Sequence, residues 1–165
     1  MKSSDASSPS GLASEIKSRI RGKVAIIAVG NIMRGDDGLG PKLIELLKEK
    51  GARARLFDCG TAPENYIFPI LSAACDTIIF VDAADLALAP GEARVFDVEK
   101  IANVGFSTHN PSPRLFIDLL KTGKEDLNIF VVSVQAKTTT LGAPLSDEVL
   151  RGLKALAEAF IEALA

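Results

Sequence analysis

An apolar run of strand length, Val24 to Val29, breaks at Gly30-Asn31, and the chain turns apolar again only after a loop that carries adjacent carboxylates, Asp36 and Asp37. A continuous apolar strand is one covered on both faces, so this run reads as the central strand of an open α/β sheet. Gly35, Gly38 and Gly40 let the following loop turn freely, and Pro41 suits a first helical position with Gly40 as its N-cap. Leu43, Ile44, Leu46 and Leu47 then face the sheet, while Lys42, Glu45, Lys48 and Glu49 take the other side. Leu39, just before the cap, is expected to staple onto Ile44. Strand, glycine-rich turn and helix would ordinarily suggest a phosphate cradle. Asp36 and Asp37 would repel a pyrophosphate, however, and the glycine spacing is neither GxGxxG nor a Walker loop. One aspartate can serve the helix dipole or the turn. Two adjacent carboxylates repel each other, which a cation at the site would offset.

Upstream, Leu12, Ile16 and Ile20 have helical spacing, so a short helix is expected before the first strand, behind a loose tail over residues 1–10. Downstream, Ala52–Asp58 alternates small or apolar residues with basic ones and reads as a second strand nearer an edge. Thr61-Ala62-Pro63-Glu64 has the form of a capping box, with Thr61 as N-cap and Glu64 reaching back, so Glu64 reads as structural rather than catalytic in a helix running to about Ala74. Thr77–Val81 is a third strand, wholly apolar, that delivers Asp82 at its carboxyl end with Asp85 close behind; Asp82 can be a site residue or a loop cap. Ala89-Pro90-Gly91 signals a turn into Glu92–Val98, a half-exposed strand whose connection is too short for a helical crossover, hence antiparallel at an edge. The loop Asn103–Pro113 holds the only histidine, His109, among polar and turn-forming neighbours, either as a solvated loop residue or as a site residue between strand and helix. Ser112 and Pro113 then open a helix with Leu115, Phe116, Leu119 and Leu120 buried. Asn128–Val134 is the last buried strand, and Ser146 caps a closing helix, Asp147–Leu164, with acidic residues in its first turn.

Composition narrows the partners. With 19 basic and 21 acidic residues among 165, and a formal charge of -2, neither nucleic acid nor an anionic membrane is an expected partner. Cys59 and Cys75, without CxxC spacing, are expected to be reduced thiols in the cytoplasm. No segment has transmembrane length, and the polar N-terminus lacks the hydrophobic core of a signal peptide. The division expected is a tail with a possible short helix over residues 1–22 and one α/β domain over 23–165.

Asp37, Asp82 and His109 each lie just past a strand or before a helix, on what should be one carboxyl edge. Two carboxylates and an imidazole suit zinc or nickel with a coordination position left open. There is no GxSxG elbow, and neither cysteine sits in a known nucleophile signature.

At these residues the chain resembles a known family. Gly30-Asn31-Ile32-Met33-Arg34-Gly35-Asp36-Asp37-Gly38-Leu39-Gly40, Asp58-Cys59-Gly60-Thr61-Ala62-Pro63-Glu64-Asn65, Val81-Asp82-Ala83 with Pro90-Gly91, and Ser107-Thr108-His109 closely resemble the hydrogenase maturation endopeptidases. Those enzymes remove a C-terminal tail from the large subunit of nickel-iron hydrogenases once nickel is in place. The resemblance spans about residues 23 to 160 and is nearest to the subgroup that processes the formate-hydrogenlyase type. It implies a three-layer α/β/α fold with a mixed, mostly parallel five-stranded sheet. It also implies that Asp37, Asp82 and His109 contact a metal, that Asp36 is the dipole or turn partner, and that Asp58 is a carboxylate at the site's edge. The nickel would be supplied by the substrate, a nickel-iron hydrogenase large-subunit precursor, and the free enzyme, a monomer, need hold none. A tail before Lys23 is longer than usual for the family. Hydrolysis would use a metal-polarised water with Asp58 or Asp37 as general base. The rival readings are a metallohydrolase carrying its own metal and a non-catalytic, nickel-dependent assembly factor.

Overall fold

The computed structural model describes residues 8–103 and 113–165. Among them, β1 (Val24–Ala28), β2 (Arg55–Asp58), β3 (Thr77–Ala84), β4 (Ala93–Asp97) and β5 (Asn128–Gln135) form a single sheet in the order β2-β1-β3-β5-β4. All neighbours are parallel except β4, which runs antiparallel to β5. The sequence explains the order. β1 and β3 are buried along their whole length, as the apolar runs 24–28 and 78–81 with their β-branched residues require. β2 and β4 carry exposed Arg55 and Arg94 and lie at the two edges.

Five helices complete two further layers among the described residues: α1 (Pro9–Arg19), α2 (Leu39–Glu49), α3 (Ile67–Ser72), α4 (Pro113–Gly123) and α5 (Asp147–Ala163). Side chains alternate across a strand. Ile26, Ile79 and Phe130 therefore pack under α1, α2 and α5, whereas Ile27, Phe80 and Val131 pack under α3 and α4. The three-layer α/β/α arrangement with a mixed five-stranded sheet is the one expected. The short helix expected upstream is α1, and its Leu12, Ala13 and Ile16 are part of the core.

Several local expectations are overturned. Gly40 is not a cap: a 3-10 turn, Gly35–Gly38, runs directly into α2, whose N-cap is Gly38 and which includes Leu39, Gly40 and Pro41. Close approach to β1 explains the glycine, since a Cβ at Gly40 would stand 2.5 Å from the Val29 carbonyl oxygen and 3.2 Å from Ala28 Cβ. Leu39 is thus a buried residue of the helix rather than a staple ahead of it. The capping box does not form either. Pro63 disfavours the helical region for the residue before it, Ala62 sits at φ -133 and ψ 65 as the cap of a 3-10 turn, Pro63–Tyr66, and no side chain caps that turn. Glu64 falls one position short of the capping-box site and stands exposed. In α4 the buried stripe is Phe116, Ile117 and Leu120, one residue round from the stripe expected, so Leu115 and Leu119 are exposed. Ser112, the expected cap of α4, lies outside the described residues. Finally, β3 continues through Asp82 to Ala84, because β5 pairs with it as far as Gln135.

Two substitutions check this account. Gly40→Ala should force α2 away from β1 and cost about 1–3 kcal/mol, the range for overpacking a close contact, seen as a lowered Tm. Glu64→Ala should leave stability within about 0.5 kcal/mol, as for surface residues without a structural contact; a loss near 1 kcal/mol in denaturant titration would restore the capping box.

Candidate functional site

Three buried aspartates gather at the carboxyl edge of the sheet, and their hydrogen bonds separate their roles. Asp36 is fully buried and fully partnered. Its Oδ2 accepts from the backbone N–H groups of Lys137 and Thr138 at 2.8 and 2.9 Å, and its Oδ1 accepts from that of Ser146 at 2.7 Å. The Ser146 hydroxyl donates to both oxygens at 3.0 Å. Ser146 occupies the N-cap position of α5, yet its side chain serves Asp36 and not its own helix, which corrects the expected capping contact. Hydrogen bonds to a charged acceptor contribute about 1.5–3 kcal/mol each, so four donors offset a burial cost of several kcal/mol. Backbone bonds from Asp36 to Thr138 and from Gly35 to Ala143 run beside the carboxylate. Asp36 is a clamp between the loop after β1 and the loop after β5.

Asp37 and Asp82 are buried almost as deeply, at 7% and 6% exposure, with far less support. Asp37 Oδ2 accepts from the Asn31 N–H at 3.0 Å; Asp82 Oδ1 accepts from the Ala83 N–H at 2.8 Å. No further hydrogen bond to either carboxylate is made among the described residues. Burial pushes the Asp37 carboxyl above its ordinary range, against the Asn31 N–H and the charge of Arg34. Burial pushes Asp82 well above that range, and the nearby charge of Asp37 pushes it further. The two acids reach each other from different segments. Asp82 is carried by β3, and Asp37 by the 3-10 turn after β1, whose return is possible because Gly30 has no Cβ to strike the Asp37 carbonyl oxygen.

Asp58 is set apart. It pairs with Ala28 on the ladder and therefore shares the α2 face of the sheet, where it lines a cleft with Ile32, Pro41, Ile44 and Lys48. Asp82 shares the opposite face with Ile78 and Phe80. Asp58 is exposed and accepts from the Gly60 N–H at 3.0 Å. His109 lies outside the described residues, and among those described no group of three metal-ligating side chains is assembled. Asp85 is occupied in its own loop, accepting from the Ala87 N–H and from Gln135 Nε2. Cys59 is no nucleophile, since burial, with the charge of Asp58 adding to it, pushes its thiol up to about 12. Residues not singled out by sequence also build this edge. Gln135 Oε1 accepts from the Leu86 and Leu88 N–H groups at 2.6 and 3.2 Å. A polar residue ending a buried apolar strand was the available signal.

Fold and edge together define a three-layer α/β/α protein with a strained acidic pair where such sheets place their sites. Residues 41–163 match the family described as hydrogenase maturation protease, and the chain belongs to that family. It is 42% identical over 102 residues to the Hydrogenase 3 maturation protease of Escherichia coli K12, an alignment that spans 58% of this chain and 63% of that relative. Its fold is similar to the solution structure of an endopeptidase HycI from Escherichia coli, with TM-score 0.75 and 31% identity over 82% of this chain and 86% of that one. It is similar also to the crystal structure of a NiFe hydrogenase maturation protease HycI from Thermococcus kodakarensis KOD1, with TM-score 0.77 and 30% identity over 86% and 92%.

The raised Asp82 gives a pH signature. Its folded pKa lies above its unfolded value near 3.8, so between the two the folded state holds more protons and stability falls as pH rises. Asp82→Asn keeps the acceptor for Ala83 and never ionises. Its melting temperature should exceed that of the wild type at neutral pH, and the difference should vanish as pH drops below about 4. A variant less stable than the wild type at neutral pH would show that Asp82 is structural.

Proposed function

We propose that this chain is an endopeptidase that removes the C-terminal extension of a nickel-iron hydrogenase large-subunit precursor after nickel insertion, acting as a monomer in the cytoplasm. Family membership and the names of its relatives support the reaction class. The observation that carries the reading is the Asp37–Asp82 pair, two desolvated carboxylates, each with a single hydrogen bond among the described residues. A divalent cation brought to such a pair would offset the burial that opposes ionisation and the repulsion between the charges. Both cysteines are unpaired and buried, in keeping with a reducing compartment.

In this reading nickel arrives as part of the substrate, and Asp37, Asp82 and His109 contact it. Two carboxylates and an imidazole without a thiolate hold a soft or borderline metal weakly, so the substrate's own ligands would complete the coordination. Nickel supplies Lewis-acid polarisation. Asp37, beside Asp82, takes a proton from water as the water oxygen adds to the scissile carbonyl carbon. The carbon–nitrogen bond then breaks, and the leaving amine receives the proton. Asp58, on the far face of the sheet, is less well placed for that role and more suited to lining the path of the precursor's tail.

The test is mass analysis of nickel-loaded and nickel-free precursor after incubation with the protein. Only the loaded form should lose its tail. Asp37→Asn, Asp82→Asn and His109→Ala should leave it uncut, while Asp58→Asn should process it within about tenfold of the wild-type rate, roughly 1.4 kcal/mol. Cleavage of both forms alike would favour a metallohydrolase with its own metal. Nickel-dependent binding without cleavage would favour an assembly factor.

A further inference from the structure

Ser133 lies toward the carboxyl end of the buried strand β5, is fully inaccessible to solvent, and its hydroxyl has no hydrogen-bond partner among the described residues. It is the only buried side-chain polar atom there of which this is true. A buried hydroxyl left without a partner opposes folding. Its place in the sheet suggests what it is kept for. On the β3–β5 ladder Ser133 stands directly beside Asp82, and on the β4–β5 ladder directly beside Arg94. Register partners share a face, and neighbouring strands are about 4.8 Å apart. The O–H proton of Ser133 needs an acceptor, and in this row Arg94 can only donate. Along β5, the next side chain on the same face is Gln135, whose Oε1 already accepts from Leu86 and Leu88. Asp82 has an oxygen to spare, since among the described residues only Oδ1 is engaged.

We infer that Ser133 is a positioning residue for Asp82: its hydroxyl turns to donate to the second carboxylate oxygen, Oδ2, as substrate docks. The inference rests on the reading of Asp82 as a substrate-contacting group. Rotation about Cα–Cβ carries a serine hydroxyl between staggered positions while its backbone stays in place. With Ala83 N–H on one oxygen and Ser133 O–H on the other, the plane of the carboxylate is fixed, and the outward lone pairs are left for substrate. Such contacts orient a metal-binding group much as its first ligands do, and their loss costs 10- to 100-fold in affinity or activity.

Ser133→Ala distinguishes this role from a structural one, because removing an unpartnered buried hydroxyl should leave the protein as stable or more so. With nickel-loaded precursor, the variant should show an unchanged or raised Tm, an unchanged KM, and a kcat lowered about 10- to 100-fold. Wild-type kcat, a loss confined to KM, or a fall in Tm that accounts for the lost activity would each overturn the inference. Asp82→Asn is assayed alongside. If it is inactive while Ser133→Ala cleaves at the wild-type rate, the inference alone fails. If Asp82→Asn cleaves normally, or the wild-type protein leaves the precursor intact, the functional reading fails and takes the inference with it.

Discussion

The carboxylate of Asp36 holds together the end of the molecule where the chemistry is proposed to occur. It is buried without access to water, and it is stable there because it gathers three backbone N–H groups and a hydroxyl from a segment about a hundred residues away. The loop after β1 and the loop after β5 also meet through backbone bonds, from Asp36 to Thr138 and from Gly35 to Ala143. Joined through Asp36 they form one rim, and the same turn that buries Asp36 presents Asp37 toward β3. α5 starts from this junction, so the clamp also sets how the closing helix meets the sheet.

The contrast between Asp36 and its neighbours separates scaffold from site. All three acids are similarly buried, so burial alone says nothing about role. What differs is satisfaction: among the described residues Asp36 is saturated with donors, whereas Asp37 and Asp82 have one backbone N–H each. A carboxylate in the second condition opposes the fold at neutral pH, because burial raises its pKa. A fold that keeps two such groups at one edge gives up stability for something the edge must do. Membership of the hydrogenase maturation protease family is consistent with that function being proteolytic.

Much of this was legible in residue patterns. The runs at Val24, Thr77 and Asn128 are apolar enough to be read as buried strands, and the short turn through Pro90-Gly91 forced an antiparallel edge. The departures share a cause, which is that local rules describe one element at a time. Thr61 and Glu64 satisfy the spacing of a capping box, but Pro63 shifts the start of the turn by one residue. Gly40 looks like a cap until the backbone of β1 is seen to leave no space for a side chain. Asp82 looks like the residue after a strand, because a polar residue ends an apolar run, yet β5 extends the ladder beyond it. Asp58 and Asp82 both follow strand patterns at the same edge, and only the alternation of side chains through the ladder puts them on opposite faces.

The sequence by itself determined the strand and helix identities, the α/β class and the aspartates available for chemistry, since hydrophobic period and residue type are properties of neighbours along the chain. Tertiary structure alone decided what each acid does. Whether a buried carboxylate is satisfied depends on donors such as those of Lys137, Thr138 and Ser146, which are remote in sequence and meet Asp36 only when β1 and β5 are two strands apart in one sheet. The same holds for Ser133, an unremarkable serine in an apolar strand until the register places it beside Asp82.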